Sequence, residues 1–121
     1  MVIKMTREFV MLPEFEKQWK HLNLTDIDLN RLQTELILNP QEGDVIQGTG
    51  GIRKIRFAFE NRGKSGSIRV IYIDFLIYEK VYLLTAYPKN EKDNLSPAER
   101  NQMKALVEKL SQSLENKKGA D

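Results

Sequence analysis

The spacing of apolar residues changes character along the chain, and each change marks an element. Glu8 to Leu12 (EFVML) reads as a short strand. Pro13 and Glu14 open a helix, since proline is tolerated at the first helical position where an N–H has no partner to lose. Phe15, Trp19 and Leu22 recur every three to four residues and give that helix one apolar face, ending near Asn23. Thr25 starts a second helix, with Asp28 three residues on as the acid of a capping box. Ile27, Leu29, Leu32, Leu36 and Leu38 supply its apolar positions. Pro40 closes it, because the residue before a proline avoids helical backbone. So short a link between the two predicts an antiparallel helix hairpin.

Glycines 43, 48, 50 and 51 make residues 41–51 a loop, after which the apolar period falls to two. Arg53, Ile55, Phe57 and Phe59 share one side of a strand; Ile52, Lys54, Arg56 and Ala58 share the other. The polar turn 61–66 returns the chain antiparallel. Residues 68–75 are apolar on both faces apart from Arg69 and Asp74, as expected of a strand in mid-sheet. A turn at 78–80 leads to a further strand, 81–86. Ser96, Pro97 and Glu99 spell a capped helix start, and Met103, Leu106, Val107, Leu110 and Leu114 form its buried face, with the tail after Asn116 frayed. The expected order is β-α-α-β-β-β-α, an α+β fold of helices on an antiparallel sheet. At 121 residues this is a single domain, 1–121, with its ordered core over about 7–114.

With no cysteine, disulfides, thiolate chemistry and cysteine-based zinc sites are excluded. His21 is the only histidine, so histidine pairs are excluded too; near a helix end it suits dipole compensation better than catalysis. The first residues show no export signal, and the greasiest stretch, 68–78, is far too short for a membrane span, so the expected setting is the cytoplasm. The glycines at 48–51 precede a strand rather than a helix, which fails the context of a phosphate-cradling loop. No metal site or cofactor is expected.

The net charge of +2 hides an uneven distribution. Between Gly51 and Tyr72 stand Arg53, Lys54, Arg56, Arg62, Lys64 and Arg69 against Glu60 alone, whereas the first 50 residues are net acidic and the last 49 balanced. Concentrated positive charge is the footprint of a phosphate-bearing partner. Lys54 and Arg56 share a strand face and lie near enough to grip one phosphodiester. The direction of Arg69 relative to Lys54 stays open at this level. Tyr87 and Lys89 fall where the last strand ends, a usual place for functional side chains.

Three stretches carry a family resemblance. Asn39 to Arg56 (NPQEGDVIQGTGGIRKIR) resembles the central block of HigB-type toxins of the RelE superfamily. Gly66 to Tyr72 (GSIRVIY) and Leu83 to Glu91 (LLTAYPKNE) resemble that family's second core strand and its terminal strand with the following turn. The likeness runs from about residue 7 to residue 112. It implies a toxin of a type II toxin–antitoxin pair that cuts mRNA in the ribosomal A site without metal. It further implies a helix-turn-helix antitoxin of the HigA kind as partner, and contact with DNA only through that antitoxin.

Matched position by position, the resemblance puts catalytic roles on Lys54, Arg56, Arg69 and Tyr87. Arg53, Arg62, Lys64 and Lys89 are the expected RNA- or ribosome-binding residues. RelE carries an arginine immediately after the terminal lysine, where this chain has Asn90, and a catalytic tyrosine beyond that turn, where this chain has none. Tyr87 follows the HigB-like pattern instead. Attack by the RNA's own 2′-hydroxyl needs a base, an acid for the leaving 5′-oxygen, and cations around the phosphorus. Lys54 and Tyr87 are the candidate proton carriers, in either order; Arg56 and Arg69 are the candidate cations. Two alternatives stand beside this reading: a ParE-like toxin that inhibits gyrase by binding, which needs no such cluster, and an RNA-binding module that does not cut.

Overall fold

A five-stranded sheet separates two helical layers in the computed structural model, which describes residues 6–58, 67–92 and 94–119. The strands are β1 (Glu8–Met11), β2 (Asp44–Val45), β3 (Arg53–Ala58), β4 (Ser67–Phe75) and β5 (Lys80–Pro88); the helices are α1 (Pro13–His21), α2 (Asp26–Leu38) and α3 (Pro97–Gly119). The sheet order is β1-β5-β4-β3-β2. The α+β expectation holds, with three amendments. β1 pairs parallel to β5, so the sheet is mixed. A two-residue strand, β2, pairs with β3 inside the expected loop. The last helix runs on to Gly119 rather than ending at Asn116.

Helix starts follow the capping chemistry. Thr25 and Asp28 exchange side-chain-to-backbone bonds of 3.2 and 2.9 Å, and Ser96 and Glu99 do the same at 3.1 and 2.9 Å. α1 ends on Asn23 in the left-handed region (φ 59°), with the Leu24 amide donating to the Trp19 carbonyl, an arrangement that satisfies the last carbonyls.

β4 is the central strand and is buried on both faces over most of its length. Ile68, Val70 and Tyr72 pack under Phe15 and Trp19 of α1 and Leu32 and Leu36 of α2. Ile71 and Ile73 pack on the opposite side with Ile52, Leu84, Leu95 and Val107, beneath α3. Ile27 and Leu38 do not join the core: they are 72% and 65% exposed. At 100° per residue, positions 29, 32 and 36 form one stripe, while Ile27 lies two residues before its start and Leu38 two after its end, each rotated by about 200° from it.

The loop before β3 is fixed by buried polar bonds. The Tyr72 hydroxyl donates to the Pro40 carbonyl (3.0 Å) and accepts from the Gly43 amide (2.9 Å). A Cβ on Gly43 would stand 2.9 Å from the Lys54 carbonyl oxygen, so only glycine fits there. Fully buried Thr49 donates to the Ile46 carbonyl and accepts from the Ile52 amide. The long motif from Asn39 to Arg56 is thus a clamp that positions β3. At the other edge, the Arg7 guanidinium grips Asp74 of β4 through Nε and Nη2 (2.7 and 3.2 Å), which raises the arginine pKa further; both side chains are largely buried.

Candidate active site

Strand register decides which of the candidate residues meet. Arg56 of β3 faces Arg69 of β4, and Arg69 faces Tyr87 of β5. One rung along, Lys54 faces Ile71, which faces Thr85. Facing residues share a sheet face, with Cα atoms roughly 5 Å apart. Arg56, Arg69 and Tyr87 therefore form a row across three strands, with Lys54 on the adjoining rung. All lie on the α3 side of the sheet, toward the end where the β3–β4 connection leaves it.

Tyr87 joins this row because of a β-bulge. The pairing passes from Tyr72–Leu83 to Ile71–Thr85, so Leu84 is an extra residue in β5. Val81, Leu83 and Ala86 consequently face α1 and α2, while Leu84 and Tyr87 face α3. Strict alternation from Leu83 would have turned Tyr87 to the other face.

The four residues differ in access. Arg56 is exposed and Lys54 half-buried, whereas Arg69 and Tyr87 are 9% and 5% exposed. The row thus has a buried floor with accessible groups along one side. The Lys54 ammonium donates to Asn94 Oδ1 (2.7 Å), which ties β3 to the chain entering α3. Lys92 sits over the Tyr87 ring, its Nζ 4.8 Å from the centroid, and pairs with Glu99. Lys92 and the Ser96 amide hold the Glu99 carboxyl below its ordinary pKa. The capping box of α3 thereby also fixes the cation that covers Tyr87. Sequence reasoning picked out Glu99 only as a cap, and no spacing signal marked Lys92 or Asn94.

The remaining candidates separate. Arg53 lies on the opposite face, where its Nη1 donates to the Gln41 and Gly43 carbonyls (3.0 and 2.7 Å); its position serves the loop clamp rather than the row. Lys89 is exposed on the turn after β5, its amide bonded to the Ser67 carbonyl. Arg62 and Lys64 lie outside the described residues. A larger cleft, about 680 Å³, runs along α2 and the edge of β3, and of the row and its neighbour Lys54 only Arg56 borders it. Among the described residues, no three His, Cys, Asp or Glu side chains gather where a metal ion could sit, and no helix is long and apolar enough to cross a membrane.

Comparison with known proteins identifies the fold and the family. Residues 9–118 match the family model for the RelE toxin of the RelE/RelB toxin–antitoxin system. Among solved structures, a doubly substituted E. coli toxin RelE in the free state is similar, with a TM-score of 0.53 and 16% identity over 74% of this chain and 90% of that one. At that identity the likeness concerns the fold. The family match extends over nearly the whole described chain, and the chain belongs to the RelE toxin family.

Proposed function

We propose that this toxin is of the HigB type and halts translation by cutting mRNA in the ribosomal A site, with side chains supplying the positive charge around the phosphorus. The observation that carries the reading is the row Arg56–Arg69–Tyr87 with Lys54 one rung away on the same face. Lys54, as its neutral amine, accepts the proton of the 2′-hydroxyl as that oxygen attacks the adjacent phosphorus. The P–O5′ bond breaks, leaving a 2′,3′-cyclic phosphate, and the 5′-oxygen takes up a proton from the Tyr87 phenol, which water then reprotonates. Arg56 and Arg69 hold the phosphate in line and stabilise the charge that builds on its oxygens. Arg69, with little water around it, acts more strongly per contact than an exposed guanidinium would. Tyr87, beneath Lys92, serves proton transfer, and Lys89 meets the RNA or the ribosome from the turn.

In this reading the cognate partner is a helix-turn-helix antitoxin of the HigA kind, and DNA is met only through it. The experiment is translation in a purified system with mapping of mRNA 5′ ends, run on the wild type and on Lys54→Ala, Arg56→Ala and Arg69→Gln. Cuts at A-site codons that the variants lose by 100-fold or more, with melting temperatures near wild type, support the assignment. Intact mRNA alongside a stalled gyrase reaction would replace it with the ParE-like alternative.

A further inference from the structure

A second positively charged feature adjoins the row. Ile46, Lys54, Asn94, Leu95 and Arg100 enclose a cavity of about 320 Å³ between β2, β3 and the first turn of α3. Among the described residues its lining is two cations, one amide and two apolar side chains. Lys54 belongs both to this cavity and to the candidate site. Lys54 and Arg56 are two residues apart on an extended strand, hence about 6.6 Å. Arg100 is half-buried, and no carboxylate or carbonyl among the described residues accepts from its guanidinium. The neighbouring acid, Glu99, is already engaged with Lys92 and the Ser96 amide. A half-buried guanidinium that lines a cavity, with no acid accepting from it among the described residues, is suited to bind an anion there. The apolar side chains of Ile46 and Leu95 suit the flat face of a base.

We infer that this cavity holds the nucleotide next to the scissile phosphate, with Arg100 and Lys54 gripping its phosphate group. The inference rests on the RNA-cleaving reading above and adds Arg100 as a binding residue for that substrate. A strand of RNA crossing the row then continues past Lys54 toward α3, and Asn94, bonded to Lys54, keeps the shared side chain at the boundary between the two nucleotides.

The test uses a 2′-O-methyl hexaribonucleotide, which cannot be cut, and follows its binding to the full-length protein by fluorescence anisotropy across a salt series. Each phosphate contact contributes about 0.7 to the slope of log K against log salt for a single strand. Arg100→Gln is expected to flatten the slope by about 0.7 and to weaken binding at low salt, while Arg100→Lys keeps the slope. In the cleavage assay Arg100→Gln raises KM more than it lowers kcat. An unchanged slope and affinity in a folded Arg100→Gln protein overturns the inference, and so does a wild type that fails to bind the oligonucleotide. A protein that shows the slope change but leaves mRNA intact during translation supports the cavity as a phosphate site and overturns the cleavage reading instead.

Discussion

Replacing Tyr72 by phenylalanine tests the clamp that positions the candidate site. Tyr72 stands fully buried on the central strand, and its hydroxyl reaches the loop before β2, donating to the Pro40 carbonyl and accepting from the Gly43 amide. Tyr72→Phe keeps the ring and leaves both backbone groups without their partner. Each buried group so abandoned costs about 1–3 kcal/mol, so for the two a combined loss of about 2–6 kcal/mol is expected. For a domain of this size that lowers the melting temperature by on the order of 10 °C. Urea unfolding gives the same quantity from the midpoint shift at constant slope. A second readout follows from titration. Burial raises the Tyr72 phenol above its ordinary value, with Gly43 opposing. A raised folded-state pKa gives stability that is full below the unfolded value near ~10 and is lost as pH climbs through the folded one. The wild type therefore weakens in alkali, and Tyr72→Phe removes this residue's share, leaving that of Tyr82, which burial also raises. A variant within about 0.5 kcal/mol of wild type, with an unchanged alkaline limb, would show that the hydroxyl does not hold the loop.

Three further outcomes are expected. Asp74→Asn leaves the Arg7 guanidinium facing a neutral partner in a largely buried pocket and costs about 3 kcal/mol by denaturant unfolding. Glu99, held below the ordinary carboxyl range, contributes stability that is present above its unfolded pKa near ~4.3 and is lost as pH falls through the lower folded value. Glu99→Gln removes that acid limb, seen in melts between pH 5 and pH 3 (on the order of the window set by those values), and frees Lys92 from Tyr87. Gly43→Ala drives a Cβ into the Lys54 carbonyl and the Tyr72 ring, so it destabilises by about 2 kcal/mol or more and lowers cleavage activity together with stability.

Much of the fold is legible in the residue pattern because period and capping act locally. Both capping boxes, the apolar faces of α1 and α3, and the central burial of β4 follow from spacing alone. The parallel pairing of β1 with β5 does not, since a four-residue strand carries no mark of its neighbour. β2 is too short to leave a period. Arg53 shows the limit most clearly. It belongs to the basic cluster by count, yet alternation puts it on the face opposite Lys54, where backbone carbonyls claim its guanidinium. Charge clustering along a strand counts both faces together, and only alternation separates them. Arg100, in the first turn of α3, carries no local signal linking it to Lys54, because the cavity they share depends on how α3 lies across the sheet.

The bulge at Leu84 bears directly on how the site came to be assembled. A strand read at period two from Val81 puts Tyr87 on the side of Val81 and Leu83, under α1 and α2, while Arg69 points toward α3. One inserted residue reverses the parity beyond it, and Tyr87 comes to lie in register with Arg69 on the same face. The insertion interrupts the ladder between β4 and β5, the pair at the middle of the sheet, where regular pairing would serve stability best. What it gains is a phenol ring beside a buried guanidinium and beneath Lys92. A core has no need of that juxtaposition, since Leu84 and Thr85 already cover Ile71. The phenol and the guanidinium thus come to lie side by side in the buried floor of the row. One inserted residue, rather than any change of side chain, thus decides which face of the sheet carries the phenol.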